Sequence, residues 1–371
     1  MNITDYLRKI DGTLLFVIFA LVFLGILTIG SATHVNVAED PDRYFFVIRQ
    51  ALFFAVGFAM AVYSLKYDYH ILYKWAPYLY GLNCLMLLAV RFLGTSALGA
   101  QRWFQIGPIT IQPSEFSKVL MIICLARFFA DHKDGFYTWK SLIPVIALMI
   151  LPMGLVFIQP DLGTSLIFAA ICFGMLYLSD LSIKIIWQAC VAFAVFCPFA
   201  WQFLLHEYQK TRIKVLFSPE IDPFGSGYHV IQSKISIGSG GFIGKGLFEG
   251  TQNQLNFLPE NHTDFIFSVI GEEMGFVGAV FLLFLYFILL YRSLVISRVS
   301  GDTFGSLISC GIFSMWLFQV FINIGMTIGI MPVTGIPLPF ISYGGSALVA
   351  NLLCCGLLMN IHLRKKRQMF N

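Results

Sequence analysis

The length of the uncharged apolar segments constrains the fold of this chain more than any other feature. No Asp, Glu, Lys or Arg occurs from residue 303 to residue 363, whereas one membrane-spanning helix needs only about 20 apolar residues. The proline-bearing segment 331–340, MPVTGIPLPF, therefore separates two predicted helices and is expected to form a re-entrant or surface loop. Charged residues make up 12% of the chain, against about 25% in a soluble domain. The sequence predicts an all-α polytopic membrane protein.

Breaks at charges, glycines and prolines divide the chain into ten predicted transmembrane helices within a single membrane domain, residues 1–371. The predicted helices cover residues 13–33, 45–65, 73–92, 113–130, 141–158, 162–179, 184–205, 265–291, 303–330 and 342–363. The polar connection between helices seven and eight, residues 206–263, is the largest part predicted to lie outside the membrane. Connections of this length are usually functional, so we expect a substrate headgroup to bind beside it.

Ten helices place both chain ends on one side of the membrane. The connections on that side, together with the adjoining helix ends, hold 14 of the 24 Lys and Arg residues, including the cluster RKKR at 364–367. Because cytoplasmic loops of membrane proteins carry an excess of Lys and Arg, we expect both termini in the cytoplasm. Residues 206–263 are then extracytoplasmic.

Several function classes have no signal in this sequence. The net charge of +4 is small, which argues against nucleic-acid binding. The eight cysteines lie in apolar stretches and form no CxxC motif, so neither disulfides nor a thiolate metal site is expected. The glycine cluster 238–246, GSGGFIGKG, lacks the Lys-Ser/Thr ending of a phosphate-binding loop and is interpreted as a flexible turn or an anion-binding nest. No organic cofactor is expected.

Asp264 is the first candidate for chemistry, because it stands where the polar connection meets the eighth apolar segment. A carboxylate at the edge of hydrocarbon is costly and usually has a partner or a function. No Lys or Arg occurs within ten residues on either side, so the sequence offers no local partner. Asp264 could take a proton from a hydroxyl as a general base, hold a cation, or only cap the following helix.

Two charges near the start of the fourth predicted helix are the second candidates. Glu115 and Lys118 are three residues apart, a spacing that places both on one face of a helix. They are interpreted as a structural ion pair inside the bundle or as a functional pair. In the functional case, Lys118 would meet a phosphate or steer a carboxylate.

Further candidates lie in the connections that we place on the same side as Asp264. Asp161 ends a Gln-Pro-Asp motif between helices five and six, where it is either an ordinary turn residue or part of a site. Arg102 precedes the fourth helix and either binds a phosphate bidentately or extends towards the lipid headgroups. Lys245 and His262 complete the set of candidate substrate-binding residues.

Four segments together resemble the SEDS family (shape, elongation, division and sporulation), and within it the RodA-like branch. They are GAQRWFQIGPITIQPSEFSK at 99–118, QPDLGTS at 159–165, GYHVIQSKISIGSGGFIGKGLFEGTQNQLNFLPENHTDFIFSVIGEE at 227–273 and VTGIPLPFISYGGSA at 333–347. Each segment alone is a modest signal. Their order and spacing over nearly the whole chain are highly specific.

The resemblance implies a ten-span fold in the bacterial cytoplasmic membrane, with a large extracytoplasmic loop between helices seven and eight. It implies a peptidoglycan glycosyltransferase for cell elongation and rod shape, acting on lipid II, an undecaprenyl-pyrophosphate disaccharide, at a site that faces outward. The family's essential aspartate falls on Asp264, its paired charges on Glu115 and Lys118, and the aspartate of its Gln-Pro-Asp motif on Asp161. The implied partners are a class B penicillin-binding protein, which supplies the transpeptidase, and other elongation-complex membrane proteins.

The implied reaction makes a β-1,4 bond from an α-linked donor, which requires inversion in a single displacement. One general base then suffices, which suits Asp264. The charge of the departing pyrophosphate must be neutralised, and the candidates are Arg102, Lys118, Lys245 or a divalent cation. Because Mg²⁺ shares one or two carboxylates with substrate phosphates, a Mg²⁺ or Mn²⁺ ion beside Asp264 is the alternative to a general base.

Three alternative functions stay open on the sequence. A lipid II flippase is a transporter, and intramembrane charges also suit a translocation path. A noncatalytic scaffold would only activate its transpeptidase partner. A division-specific, FtsW-like polymerase would carry out the same chemistry at another stage of growth.

Overall fold

The computed structural model describes residues 10–34, 44–97, 100–107, 109–132, 136, 138–179, 181–255 and 257–364. Within these ranges the chain forms thirteen α-helices and a small antiparallel sheet. The helices are α1 (Gly12–Ala32), α2 (Phe45–Ser64), α3 (His70–Leu93), α4 (Pro113–Asp131), α5 (Trp139–Ile158), α6 (Leu162–Leu178), α7 (Ile183–Phe203), α8 (Glu207–Phe217), α9 (Ser226–Ser239), α10 (Thr251–Gln254), α11 (Ile266–Val299), α12 (Thr303–Thr327) and α13 (Gly345–Arg364). The strands are β1 (Thr95–Ala97), β2 (Ala100–Ile106) and β3 (Ile109–Ile111), and a 3₁₀ turn covers Pro219–Ile221.

Ten of these helices, α1–α7 and α11–α13, fall on the ten predicted transmembrane segments. Eight of the ten are long and apolar enough to cross a membrane. Of the other two, α6 has only 17 residues and α4 carries several charged side chains. The prediction of a helical polytopic membrane protein is confirmed, with a small sheet in addition, and the count of ten crossings remains a prediction.

Helices α12 and α13 form the centre of the bundle. In their most apolar stretches 78% of α12 and 72% of α13 is buried, against 17% of α2. Small residues let the central helices approach closely, because a Cβ on Gly311 of α12 would lie 2.8 Å from Cγ2 of Ile122 in α4. Glycine is typical of such contacts, since helix association in a membrane depends on close packing rather than on the release of water.

A three-stranded antiparallel sheet lies between α3 and α4, where the sequence analysis predicts no strands. β2 is the central strand and pairs with β1 and β3. Gly107 has a φ of 60° in the turn between β2 and β3, a conformation that glycine adopts without strain. The sheet holds Arg102 of β2 beside the turn between α5 and α6.

Residues 206–263 form the helices α8, α9 and α10 rather than an extended loop. α9 packs along α11, and the hydroxyl of Ser233 in α9 donates to the carbonyl of Thr327 at the end of α12, at 2.6 Å. The polar connection thus covers one end of the bundle, which we call the loop side.

Helix α11 is broken at Gly275, where φ is 63° and ψ is −159°. The glycine cluster supplies hydrogen bonds on both sides of the break. The amide of Lys245 donates to the carbonyl of Glu272 at 3.1 Å, and the amide of Phe276 donates to the carbonyl of Gly241 at 3.0 Å. Because backbone groups in a bilayer need partners within the protein, the glycine cluster joins the two halves of α11.

We expect Gly275→Ala to lower the free energy of unfolding by about 2 kcal/mol or more, because this backbone region is open almost only to glycine. A Cβ there would also lie 2.3 Å from the amide nitrogen of Gly244. The control is Gly81→Ala in α3, where a Cβ meets nothing within 4 Å and alanine should be neutral or stabilise by up to about 1 kcal/mol. Equal thermal unfolding midpoints of the two purified variants in detergent would contradict this account.

Candidate active site

A cavity of about 940 Å³ lies on the loop side of the bundle. Its walls come from β2, the N-terminal ends of α4 and α6, helices α8 and α9, the residues before α11 and the segment between α12 and α13. The ionisable residues along its walls include Arg49, Arg102, Glu115, Asp161, Arg212, His229, Glu260 and Asp264. A concave site with convergent polar groups is a candidate for substrate binding.

Asp264 lies in the cavity wall immediately before α11. Its side chain is half-buried, and among the described residues no group forms a hydrogen bond or an ion pair with its carboxylate. Gly335 of the proline-bearing segment faces this carboxylate, since a Cβ on Gly335 would lie 3.4 Å from Oδ2 of Asp264. The carboxylate is therefore available to a proton of the substrate or to a cation.

Burial raises the pKa of Asp264 to about 6, and the carboxylates of Glu260 and Asp161 act in the same direction. The guanidinium groups of Arg212 and Arg102 lower the pKa of Asp264 but do not cancel the rise. A general base works best when its pKa is near the operating pH. Asp264 is therefore mostly ionised at neutral pH and has a pKa suited to accepting a proton.

Arg102 is fixed against the turn between α5 and α6. Its Nε donates to the carbonyl of Gln159 at 2.9 Å, and its Nη2 donates to the carbonyl of Pro160. Its Nη1 lies 3.8 Å from Oδ2 of Asp161. Arg102 therefore holds this turn in place while its side chain lines the cavity.

Asp161 caps α6 and also lines the cavity. Its Oδ1 accepts a hydrogen bond from the amide of Thr164 at 3.1 Å, and its Oδ2 accepts one from the hydroxyl of Thr164 at 2.9 Å. These are the bonds expected of an N-cap aspartate. The turn role of Asp161 is confirmed, and its binding of substrate stays a prediction.

Glu115 and Lys118 form a buried ion pair in the first turns of α4. The Nζ of Lys118 lies 2.9 and 2.8 Å from the two carboxylate oxygens of Glu115. Glu115 is 3% exposed and Lys118 is 2% exposed. Glu115 lines the cavity and Lys118 does not, and the binding of substrate by either residue stays a prediction.

Lys245 and His262 lie outside the cavity lining, and their binding of substrate stays a prediction. The Nζ of Lys245 donates to Oε1 of Glu272 at 2.6 Å and to the hydroxyl of Thr251 at 2.8 Å. The ring of His262 packs 4.9 Å from the ring of Phe46. The cavity brings together four of the predicted site residues: Arg102, Glu115, Asp161 and Asp264.

Arg212 is a cavity residue that the sequence analysis did not single out. It lies in α8, with its guanidinium 5.8 Å from the ring centre of Tyr208, and no described residue forms a hydrogen bond or ion pair with it. A signal for it existed, because Lys210 and Lys214 share one helix face and Arg212, midway between them, projects elsewhere. Arg49, His229 and Glu260 line the cavity as well and also went unpredicted.

The residues of the cavity can hold a divalent cation only if the substrate supplies some of the ligands. The described residues contain no group of three or more His, Cys, Asp or Glu side chains that could hold a metal ion. Mg²⁺ usually keeps several waters and needs one or two carboxylates together with substrate phosphates. The unpaired carboxylate of Asp264 is a suitable donor for such an ion.

The fold and the cavity define a polytopic helical membrane protein with an unpaired carboxylate among charged residues of both signs. The sequence model of the family FTSW_RODA_SPOVE, described as "Cell cycle protein", matches residues 12–367. The chain belongs to this family, and the resemblance to the RodA-like branch of the SEDS proteins is confirmed.

Known relatives cover nearly the whole chain. The peptidoglycan glycosyltransferase MrdB of Escherichia coli (strain K12) is 42% identical over 358 residues, which cover 96% of this chain and 94% of the relative. A chain of the structure described as "Structural coordination of polymerization and crosslinking by a peptidoglycan synthase complex" is 33% identical, with a TM-score of 0.81 and coverage of 96% and 98%. The rod shape determining protein RodA of Thermus thermophilus is 30% identical, with a TM-score of 0.71 and coverage of 96% and 97%.

We expect Lys118→Met alone to destabilise the protein more than the double variant Glu115→Gln/Lys118→Met. The single change leaves a buried carboxylate unpaired, which typically costs about 3–5 kcal/mol. Thermal unfolding of the purified variants in detergent, arranged as a double-mutant cycle, measures the difference.

The matched control for this cycle is the pair Glu207 and Lys210, which has the same spacing and a separation of 2.9 Å but an exposed carboxylate. Lys210→Met should cost less than about 1 kcal/mol. If the losses from changing Glu115 and Lys118 simply add, the two residues do not stabilise each other.

Proposed function

We propose that this chain is a peptidoglycan glycosyltransferase that polymerises lipid II into β-1,4-linked glycan strands for cell elongation and rod shape. The Escherichia coli relative is named a peptidoglycan glycosyltransferase, and the Thermus thermophilus neighbour is named a rod shape determining protein. The observation that carries the proposal is the unpaired carboxylate of Asp264, with its raised pKa, in a charged cavity. A scaffold that only activates a partner needs no such group.

The proposed reaction joins two lipid-linked sugars in one displacement. The 4-hydroxyl oxygen of the acceptor attacks C1 of the donor while the bond from C1 to the pyrophosphate oxygen breaks, and the electron pair leaves with the pyrophosphate. Asp264 accepts the proton of the attacking hydroxyl. Attack opposite the leaving group inverts C1, so one base suffices, and such a base contributes about 10²–10⁴-fold to the rate.

Arg212 and Arg102 are placed to stabilise the departing pyrophosphate. Arg212 keeps its guanidinium fork for a bidentate contact with phosphate oxygens. Arg102 is already oriented by the carbonyls of residues 159 and 160, and donors fixed in advance stabilise developing charge without reorganising. Lys118 supports the site indirectly through its ion pair with Glu115. Lys245 does so through its ion pair with Glu272 of α11.

A divalent cation is the alternative use of the Asp264 carboxylate. In that case Asp264 holds a Mg²⁺ or Mn²⁺ ion, which supplies positive charge against the pyrophosphate. No organic cofactor is part of the proposal.

We further propose that the chain works with a class B penicillin-binding protein, which supplies the transpeptidase, and with other elongation-complex membrane proteins. The similarity to a chain of a complex that coordinates polymerization and crosslinking supports this. The chain is a multi-pass bacterial membrane protein. From its Lys and Arg distribution we place both termini in the cytoplasm and the cavity on the outer face of the cytoplasmic membrane.

We expect Asp264→Asn to abolish glycan-strand formation while leaving the amount of folded protein unchanged, because the amide can neither accept the proton nor hold a cation. The measurement is polymerisation of fluorescent lipid II by the purified full-length protein in detergent. Glu220→Gln is the control, since Glu220 is an exposed carboxylate in the same polar connection and should keep wild-type activity. Wild-type polymerisation by Asp264→Asn would remove the assigned role.

The same assay separates the alternatives. Detergent micelles permit no transport across a bilayer, so strand growth there cannot come from a flippase. If the wild-type protein forms no strands with or without its transpeptidase partner, the glycosyltransferase proposal is wrong and a transporter or scaffold replaces it. With a chelator present, a loss of rate that Mg²⁺ or Mn²⁺ restores supports the ligand role of Asp264, and an unchanged rate supports the base.

We expect the polymerisation rate to fall as the pH drops through about 6 if Asp264 is the general base, because the base must be ionised and its pKa is raised to about 6. An ordinary aspartate, with a pKa of about 3.9, would leave the rate flat down to about pH 5. The pH dependence of kcat/KM at constant ionic strength tests this. A rate at about pH 5 equal to that at about pH 7 contradicts it.

A further inference from the structure

Three consecutive backbone carbonyls, those of residues 262–264, each accept a hydrogen bond from a separate donor. The first accepts from the amide of Tyr343 at 2.9 Å, and the second from the hydroxyl of Ser342 at 2.6 Å. The third, the carbonyl of Asp264, accepts from Nδ2 of Asn323 at 2.9 Å. The chain is thus held at and immediately before Asp264 by residues that are distant in sequence.

Asn323 of α12 links Asp264 to the proline-bearing segment. Its side chain is fully buried, and Nδ2 also donates to the carbonyl of Ile336 at 2.8 Å. Both hydrogens of this amide are therefore used, one on the carbonyl of Asp264 and one on the carbonyl of Ile336. Ile336 follows Gly335, where a Cβ would lie 3.4 Å from the Asp264 carboxylate.

Ser342 forms a hydrogen bond with the C-terminal end of the proline-bearing segment. Its hydroxyl accepts a hydrogen bond from the amide of Leu338 at 2.8 Å while donating to the carbonyl of Thr263. Gln50 of α2 donates in turn to the carbonyl of Ser342 at 3.2 Å. Ser342 therefore connects α2, the proline-bearing segment and the backbone beside Asp264.

We propose that Asn323 and Ser342 are positioning residues for Asp264, and that they fix its backbone so that the carboxylate meets the incoming hydroxyl of the acceptor. This inference rests on the proposed function. Neither side chain lines the cavity, so both act through Asp264 rather than on the substrate.

The need for such residues follows from the isolation of the Asp264 carboxylate. A base must come within about 2.6–3.2 Å of the proton that it removes. No described side chain forms a hydrogen bond or an ion pair with this carboxylate. The position of the carboxylate therefore depends on the backbone of Asp264 and on its side-chain torsion angles. A displacement of about 1 Å at a reacting group can cost about 100-fold in rate.

The test compares Asn323→Ala with Asn360→Ala in the purified full-length protein. Asn360 is a matched control, because it is buried and its Nδ2 bridges the carbonyls of Ser64 and Tyr67, both at 2.8 Å, at the end of the bundle opposite the loop side. We expect Asn323→Ala to lower kcat for lipid II polymerisation about 10–100-fold, with KM within about threefold of wild type. Asn360→Ala should keep the wild-type kcat while losing similar thermal stability.

Ser342→Ala is the second variant, and it decides the question if Asn323→Ala does not fold. Ser342→Ala should lower kcat by a similar factor. Ser342→Thr keeps the hydroxyl and should therefore keep a kcat close to that of the wild type. Ser309→Ala is the control, because Ser309 is buried and its hydroxyl donates to the carbonyl of Gly305 at 2.9 Å.

Two results overturn the inference: an unchanged kcat in both Asn323→Ala and Ser342→Ala, or a fall in kcat that the control variants match. The proposed function fails differently, because the wild-type protein would then extend no strands at all. If the wild-type protein forms strands, Asp264→Asn does not, and Asn323→Ala and Ser342→Ala are as active as the wild type, only the role of Asn323 and Ser342 is refuted.

Discussion

A bilayer offers the backbone no hydrogen bonds, and this constraint decides where the chain can depart from a helix. Two departures lie within or beside the membrane-spanning helices: the break at Gly275 and the proline-bearing segment between α12 and α13. The glycine cluster forms hydrogen bonds with the backbone on both sides of the break at Gly275. The side chains of Asn323 and Ser342 form hydrogen bonds with the backbone of the proline-bearing segment. The cavity forms at the second departure, so the irregular backbone that creates the site is also the backbone that most needs protein partners.

The same low polarity divides the buried charges into two kinds. Glu115 and Lys118 neutralise each other in contact, and a pair of this kind contributes to the frame of the bundle. Asp264 has no such partner among the described residues, and its burial appears instead as a raised pKa. The contrast is between a carboxylate neutralised inside the protein and one whose side chain, among the described residues, has no partner.

The helices and the position of Asp264 at the end of the polar connection could be predicted from the sequence because both depend on local properties. Apolar length located the helical segments, and the boundary position of Asp264 marked it for chemistry. The spacing of Glu115 and Lys118 predicted that they share one helix face, and it left open whether they form a structural or a functional pair.

Features that depend on distant contacts could not be predicted in this way. The strand that carries Arg102 is defined by its pairing with β1 and β3. Lys245 was expected at a substrate, yet its ammonium meets Glu272 on α11. The spacing around Arg212 indicates only that it projects away from Lys210 and Lys214, and that α8 lies against the cavity depends on tertiary contacts.

The break in α11 also has a consequence for biogenesis. Its second half, residues 276–299, has the length and apolar composition of a membrane span, whereas the first half carries Glu272 and Glu273, which hydrocarbon disfavours. Within that first half, the carbonyls of Glu272 and Glu273 accept hydrogen bonds from the amides of Lys245 and Gly246, at 3.1 and 3.0 Å. We therefore expect the second half to insert as the anchor, and the half beside Asp264 to reach its final position when the glycine cluster packs against it.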